Sequence, residues 1–116
     1  MDKSKIYQEE RPWGSFRQFT FNELSTVKII TIKANESLSL QSHNKRTEFW
    51  RVIKGNGKIE IGDEIFEARD GDEYEIGIGM KHRIFAGKNG MQVLEISTGD
   101  FDEEDIIRYE DKYGRN

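Results

Sequence analysis

His43 and His82 are the only histidines in the 116-residue chain, and there is no cysteine. A transition-metal site in such a chain has to be built from imidazole, carboxylate and amide oxygen. The segment Gln41-Ser42-His43-Asn44-Lys45-Arg46-Thr47-Glu48-Phe49-Trp50 carries all three. Side chains alternate along an extended strand, so Gln41 and His43 point the same way. If extension resumes by Arg46, then Arg46, Glu48, Trp50 and Val52 share a parity, which puts Glu48 beside His43 and leaves Trp50 and Val52 to fill the space beneath. His82 follows Gly77-Ile78-Gly79-Met80-Lys81 and opens Arg83-Ile84-Phe85, so a facing strand can supply it. Gln41, His43, Glu48 and His82 therefore form an expected site for one divalent ion, zinc or another borderline metal, with open positions for water or substrate. Two histidines alone would be ordinary loop and turn residues; their combination with Gln41 and Glu48 at these spacings carries the argument.

The elements that must position these groups read as all-β. From residue 15 to 97 short β-rich runs alternate with turn signals, and no run of helical length shows an apolar stripe. Strands are expected over 15–21, 26–33, 37–41, 48–54, 58–61 and 64–68. Asn22-Glu23-Leu24-Ser25 joins the first two. Gly55-Asn56-Gly57 is read as a tight hairpin that folds 58–61 back on 50–53. Gly62-Asp63 and Arg69-Asp70-Gly71-Asp72 give two further turns, and so many short strands suggest a sandwich or barrel. Glu10-Arg11-Pro12-Trp13-Gly14 reads as an extended entry segment pinned by its indole. After Gly99 the run Asp102-Glu103-Glu104-Asp105 before Ile106-Ile107 predicts a short helical turn with a solvated acidic face.

Composition narrows the function classes. The length fits one domain, 1–116, with a core at about 11–99 and a C-terminal segment at 100–116. Charged and hydrophobic residues each make up 34%, and seven Phe, four Tyr and two Trp supply large packing units to a heavily charged surface. A net charge of −4 lacks the basic stripe that nucleic acid requires, so no nucleic-acid partner is expected. No apolar run is long enough to span a bilayer, so no membrane partner is expected. The Met-Asp-Lys-Ser-Lys start lacks a signal-peptide core, and a cytoplasmic location is the expectation.

Residues 35–55 resemble the first cupin motif and residues 71–82 the second. More narrowly, Arg11-Pro12-Trp13-Gly14-Ser15-Phe16, Leu38-Ser39-Leu40-Gln41-Ser42-His43, Arg46-x-Glu48-x-Trp50 and the stretch from Asp105 to Arg115 look like the type II mannose-6-phosphate isomerase cupin. That resemblance implies a double-stranded β-helix, the cupin jelly-roll barrel. It further implies a zinc-like ion on Gln41, His43, Glu48 and His82, and a small-molecule sugar phosphate as substrate. The family's domain often forms the C-terminal part of a bifunctional enzyme with a mannose-1-phosphate guanylyltransferase; here a stand-alone cupin is expected. Two positions depart from the pattern. Asn35 replaces the motif-opening glycine, a mild change because Asn tolerates left-handed geometry, and Gly77 replaces a proline in the second motif, which loosens the turn that carries His82.

The implied reaction interconverts mannose 6-phosphate and fructose 6-phosphate through an enediolate, with the metal as Lewis acid. Arg46 and Arg115 are the candidate substrate contacts, because a guanidinium offers a rigid fork of donors to an oxyanion or phosphate. Arg83 alternates with His82 and faces away. With both histidines on the ion, the general base is left between a carboxylate, a lysine such as Lys33, and hydroxide. Trp50 reads as a core indole beneath the site. The alternative function is a non-catalytic cupin that binds a sugar or sugar phosphate as an accessory or sensory module. By analogy with small cupins that pair through sheet edges, a homodimer is expected.

Overall fold

The computed structural model describes residues 5–110, and among these the chain is a set of antiparallel strands with no α-helix. The strands are β1 (Tyr7–Arg11), β2 (Gly14–Gln18), β3 (Ser25–Ile32), β4 (Leu40–Ser42), β5 (Arg46–Ile61), β6 (Glu64–Ala68), β7 (Glu73–Ile76), β8 (His82–Gly99) and β9 (Ile107–Glu110). β1 and β2 form a separate two-stranded sheet. The other seven form one sheet in the order β6-β5-β8-β4-β9, with β3 on β8 and β7 on β5. No helix of the described residues is long and apolar enough to cross a membrane.

The architecture is organised by the pairing of β5 with β8, which runs from Arg46 opposite Gly99 to Ile61 opposite His82. This ribbon bends so far that residues from its two ends meet inside the barrel, Glu48 from one and His82 from the other. The bend lies where Gly55-Asn56-Gly57 falls, and that triplet is not the hairpin expected of it. β5 passes straight through with register shifts at Val52/Lys54 and Gly55/Gly57, and residues 58–61 pair with β6 and β8 rather than with 50–53. The glycines are there for proximity. A Cβ on Gly55 would lie 2.2 Å from the Gly90 carbonyl oxygen, and one on Gly57 2.0 Å from that of Phe85. Such distances leave no room for a side chain unless the backbone shifts, so the pattern that signals a turn here marks a β-bulge with close backbone approach.

The inward row expected of β5 is present, with Arg46, Glu48, Trp50 and Val52 all buried, and Phe49 on the opposite face is buried too, beside Phe19. Trp50, Val52, Ile59, Ile84 and Val93 form the driest part of the core, each at most 1% exposed, and burial of side chains this size contributes roughly 1.5–3 kcal/mol apiece. Asn35 has φ of 60°, the left-handed geometry that its place at the motif opening requires. The entry segment differs from expectation. Pro12-Trp13 is the turn of the β1–β2 hairpin, and the indole of Trp13 is 73% exposed rather than packed against the described residues as a pin. The helical turn expected after Asp102 is not helical: the chain makes a β-turn closed by Asp105 N–H to the Asp102 carbonyl before it enters β9 beside β4.

Candidate metal centre

β4 ends at Ser42, and the chain turns through Asn44 and Lys45 into β5, so His43 and Glu48 enter the barrel from either side of one corner. His82 opens β8, and its Cα partner across the ladder is Gln41. His43, Glu48 and His82 are all buried, and one ligand atom from each lies within 4.8 Å of the others. Gln41 lines the same cavity, of about 340 Å3.

The donor chemistry fits a divalent cation. His43 Nδ1 faces the Asp105 carbonyl at 2.7 Å, and His82 Nδ1 faces that of Met80 at 2.9 Å. A carbonyl can only accept, so Nδ1 carries the hydrogen in both rings, and in the neutral imidazole Nε2 presents a lone pair to the interior. His82 Nε2 lies 3.1 Å from Glu48 Oε1, and His43 Nε2 lies 3.7 Å from Glu48 Oε2. Glu48 Oε1 is buried with no hydrogen-bond partner among the described residues. Two nitrogen lone pairs and a carboxylate oxygen thus converge, with the Arg46 guanidinium at one side of the group, and this N2O set is the kind a zinc-type site uses. Desolvation by burial lowers the His43 imidazole below its ordinary range, which favours the neutral ring. Burial alone would raise the Glu48 carboxyl, but His82, His43 and Arg46 outweigh it and hold the group below the ordinary carboxylate range.

Arg46 belongs to the same cavity. Its Nε donates to Glu48 Oε2 at 3.2 Å, its Nη2 to His43 Nε2 at 3.2 Å, and its Nη1 to the Asp102 carbonyl at 3.3 Å. Its guanidinium also stacks on Phe101, 4.3 Å from the ring centroid. Arg83 turns away, as expected, to Glu60 and Glu110. Lys33 lines a different hollow, with Lys54 and Gly90, and is not a base for this cavity. Arg115 lies outside the described residues. Trp50 does both jobs at once: 1% exposed in the core, it also lines the cavity and donates Nε1–H to Glu95 Oε2 at 3.3 Å.

Sequence reasoning overlooked Glu95, Lys28, Arg108 and Phe101, all of which line the cavity. Burial raises the Glu95 carboxyl above its ordinary value, and the negative charge of Glu48 raises it further. Lys28 is the Cα partner of Glu95 and stands over the Phe101 ring at 4.2 Å. Arg108 Nε is buried with no hydrogen-bond partner among the described residues. The available signal was parity: Lys28 shares a strand face with Ile30 and Ile32, and Glu95 shares one with Val93, so each places a charge on an inward apolar row.

A bent antiparallel barrel with two imidazoles and a carboxylate at one end defines a cupin, and a cupin protein from Bacteroides fragilis superposes with a TM-score of 0.60 at 23% identity, covering 70% of this chain and 74% of that one. Within the cupins, the family described as mannose-6-phosphate isomerase C-terminal matches residues 2–111, and the chain belongs to it. A xanthan biosynthesis protein XanB of Xanthomonas campestris is 36% identical, covering 96% of this chain and 24% of that protein. A mannose-1-phosphate guanylyltransferase of Salmonella montevideo is 38% identical, covering 91% of this chain and 23% of that one. The chain thus spans about a quarter of the length of these curated relatives.

Proposed function

We propose that this domain is a metal-dependent phosphosugar isomerase that interconverts mannose 6-phosphate and fructose 6-phosphate. The observation that carries this reading is the meeting, in one cavity, of the His43–Glu48–His82 cluster, a separate buried carboxylate and three cationic side chains. Each part answers a requirement of the reaction. Aldose–ketose interconversion moves one proton from C2 to C1 and one from the 2-hydroxyl to the 1-oxygen through an enediolate. Glu95 takes the carbon-bound proton and returns it, because a carboxyl raised by burial is a better base than an ordinary one and stays outside the metal cluster. Lys28, Arg46 and Arg108 receive the phosphate, and Arg108 Nε has no partner among the described residues. A divalent ion on His43, Glu48 and His82, with Gln41 able to add an amide oxygen, supplies a Lewis acid for the developing oxyanion, and the N2O donor set favours zinc.

The test is to load the protein with zinc, and separately with other divalent ions, and follow fructose 6-phosphate formed from mannose 6-phosphate by wild type, His43→Ala and His82→Ala. Turnover in the wild type and its loss in both variants is expected. Equal turnover in all three would remove the cluster from the mechanism. A wild type that binds sugar phosphates, by thermal shift, without turnover under any metal would replace the isomerase with the binding module. We also infer a homodimer through the edge strand β3, where Val27 and Ile29 are exposed on the outer face; sedimentation equilibrium at a monomer mass would refute it.

A further inference from the structure

The acidic run 102–105 is not uniform. Glu103 and Glu104 are exposed, whereas Asp105 is buried and spends every acceptor it has on one corner of the chain. Its Oδ1 accepts from Asn44 N–H at 2.9 Å, its Oδ2 from Lys45 N–H at 2.8 Å, and its backbone carbonyl from His43 Nδ1 at 2.7 Å. One residue thereby holds three consecutive residues of the turn between β4 and β5, the turn that sets His43 against Glu48. The segment is anchored in its own right: Asp105 N–H donates to the Asp102 carbonyl, which also takes a hydrogen bond from Arg46. His82 needs no such help, because the carbonyl that fixes its ring belongs to Met80, two residues away. His43 depends on a partner brought in from the far end of the chain.

We propose that Asp105 is the positioning residue of the metal centre, its carboxylate clamping the Asn44–Lys45 corner so that its carbonyl holds His43 with Nε2 turned toward Glu48 and His82. The role requires aspartate. Asparagine offers one acceptor and sets an NH2 against a backbone N–H, leaving two donors face to face, and alanine removes both acceptors. Outer hydrogen bonds of this kind fix the tautomer and orientation of a ligating imidazole, and their loss costs about 10- to 100-fold in metal affinity. The proposal rests on the His43–Glu48–His82 cluster as a metal site and is independent of which reaction occurs there.

The experiment uses the full chain, stripped with a chelator, as wild type, Asp105→Ala, Asp105→Asn and the exposed neighbour Glu104→Gln. Zinc and cobalt affinities are measured by chelator competition, the cobalt absorption band reports ligand geometry, and long-range 1H–15N correlation reports the histidine tautomers of the metal-free protein. Asp105→Ala is expected to weaken both ions by about 10- to 100-fold, alter the cobalt band and abolish the Nδ1–H preference of His43 while His82 is unchanged. Asp105→Asn should fall between, and Glu104→Gln should match wild type. A folded Asp105→Ala with wild-type affinity and wild-type His43 tautomer overturns the proposal; if that variant does not fold, the same two readouts on Asp105→Asn decide. Should the wild type bind neither ion, the cluster reading fails, and the His43 tautomer still decides whether Asp105 orients the ring.

Discussion

At the cavity end of the barrel, charged side chains face one another across open space; at the Gly55–Gly57 bend, the backbones of β5 and β8 fill the space with nothing between them. The same two strands build both regions. Near the cavity their inward positions are Arg46, Glu48, Glu95 and Ser97, and further in they become Trp50, Val52, Ile59, Ile84 and Val93. The comparison separates two kinds of constraint. The bend and core decide whether the barrel forms, through shape and dryness; the cavity decides what it can hold, through charges that work against the fold. Glu95 illustrates the second, since burial and the charge of Glu48 both raise its carboxyl, whereas Glu48 itself is kept ionised by its neighbours.

Substitutions at the two regions should therefore separate function from stability. The largest effect is expected from Glu48→Gln, which removes the anionic ligand. Isothermal titration should show metal affinity falling by more than the roughly 10- to 100-fold seen when only an outer partner is lost, while the melting temperature in chelator falls only modestly at neutral pH, since the lowered carboxyl of Glu48 and its contact with Arg46 stabilise the fold. A large loss of stability would merge the two regions. Ile59→Ala should do the reverse, lowering unfolding free energy by about 2–5 kcal/mol in urea denaturation and leaving the metal affinity of the folded protein intact. Gly57→Ala should cost about 1–3 kcal/mol, because its methyl collides with a backbone oxygen that cannot swing aside; a neutral result would mean that the bend has slack.

The smallest and most discriminating effect concerns pH. The folded-state value of Glu95 lies above its unfolded value, so its ionisation removes stability as pH rises through that interval. Glu95→Gln can still accept from Trp50 and has no charge to bury. In chelator, its melting temperature should match wild type below the unfolded carboxylate value and exceed it by a few degrees at neutral pH. An equal melting temperature throughout would mean that the carboxylate is not under strain.

Much of the site was legible in the sequence because strand parity is rigid: once residues 46–52 extend, Arg46, Glu48, Trp50 and Val52 must share a face. Gln41 and His43 followed from the same rule, and His82 from the cupin-like order of motifs. The missed residues failed for different reasons. Glu95 and Lys28 share parity with apolar rows, but a charge on such a row marks a cavity only once the pairing shows where the row ends, and Arg108 reaches the cavity only because β9 returns beside β4. Asp105 looked like one more residue of a solvated acidic run, and its burial depends on a turn formed 60 residues earlier in the chain. Gly55-Asn56-Gly57 misled because the same freedom serves a hairpin and a bulge, and only the partner strand distinguishes them.

The central claim is that the cavity moves a proton between adjacent carbons of a phosphosugar. The direct measurement is NMR of the metal-loaded protein turning over mannose 6-phosphate in D2O, beside Glu95→Gln. Wild type should form fructose 6-phosphate carrying deuterium at C1, and Glu95→Gln should lose turnover while retaining metal. No product under any divalent metal would contradict the isomerase, and wild-type turnover by Glu95→Gln would contradict the assignment of the base.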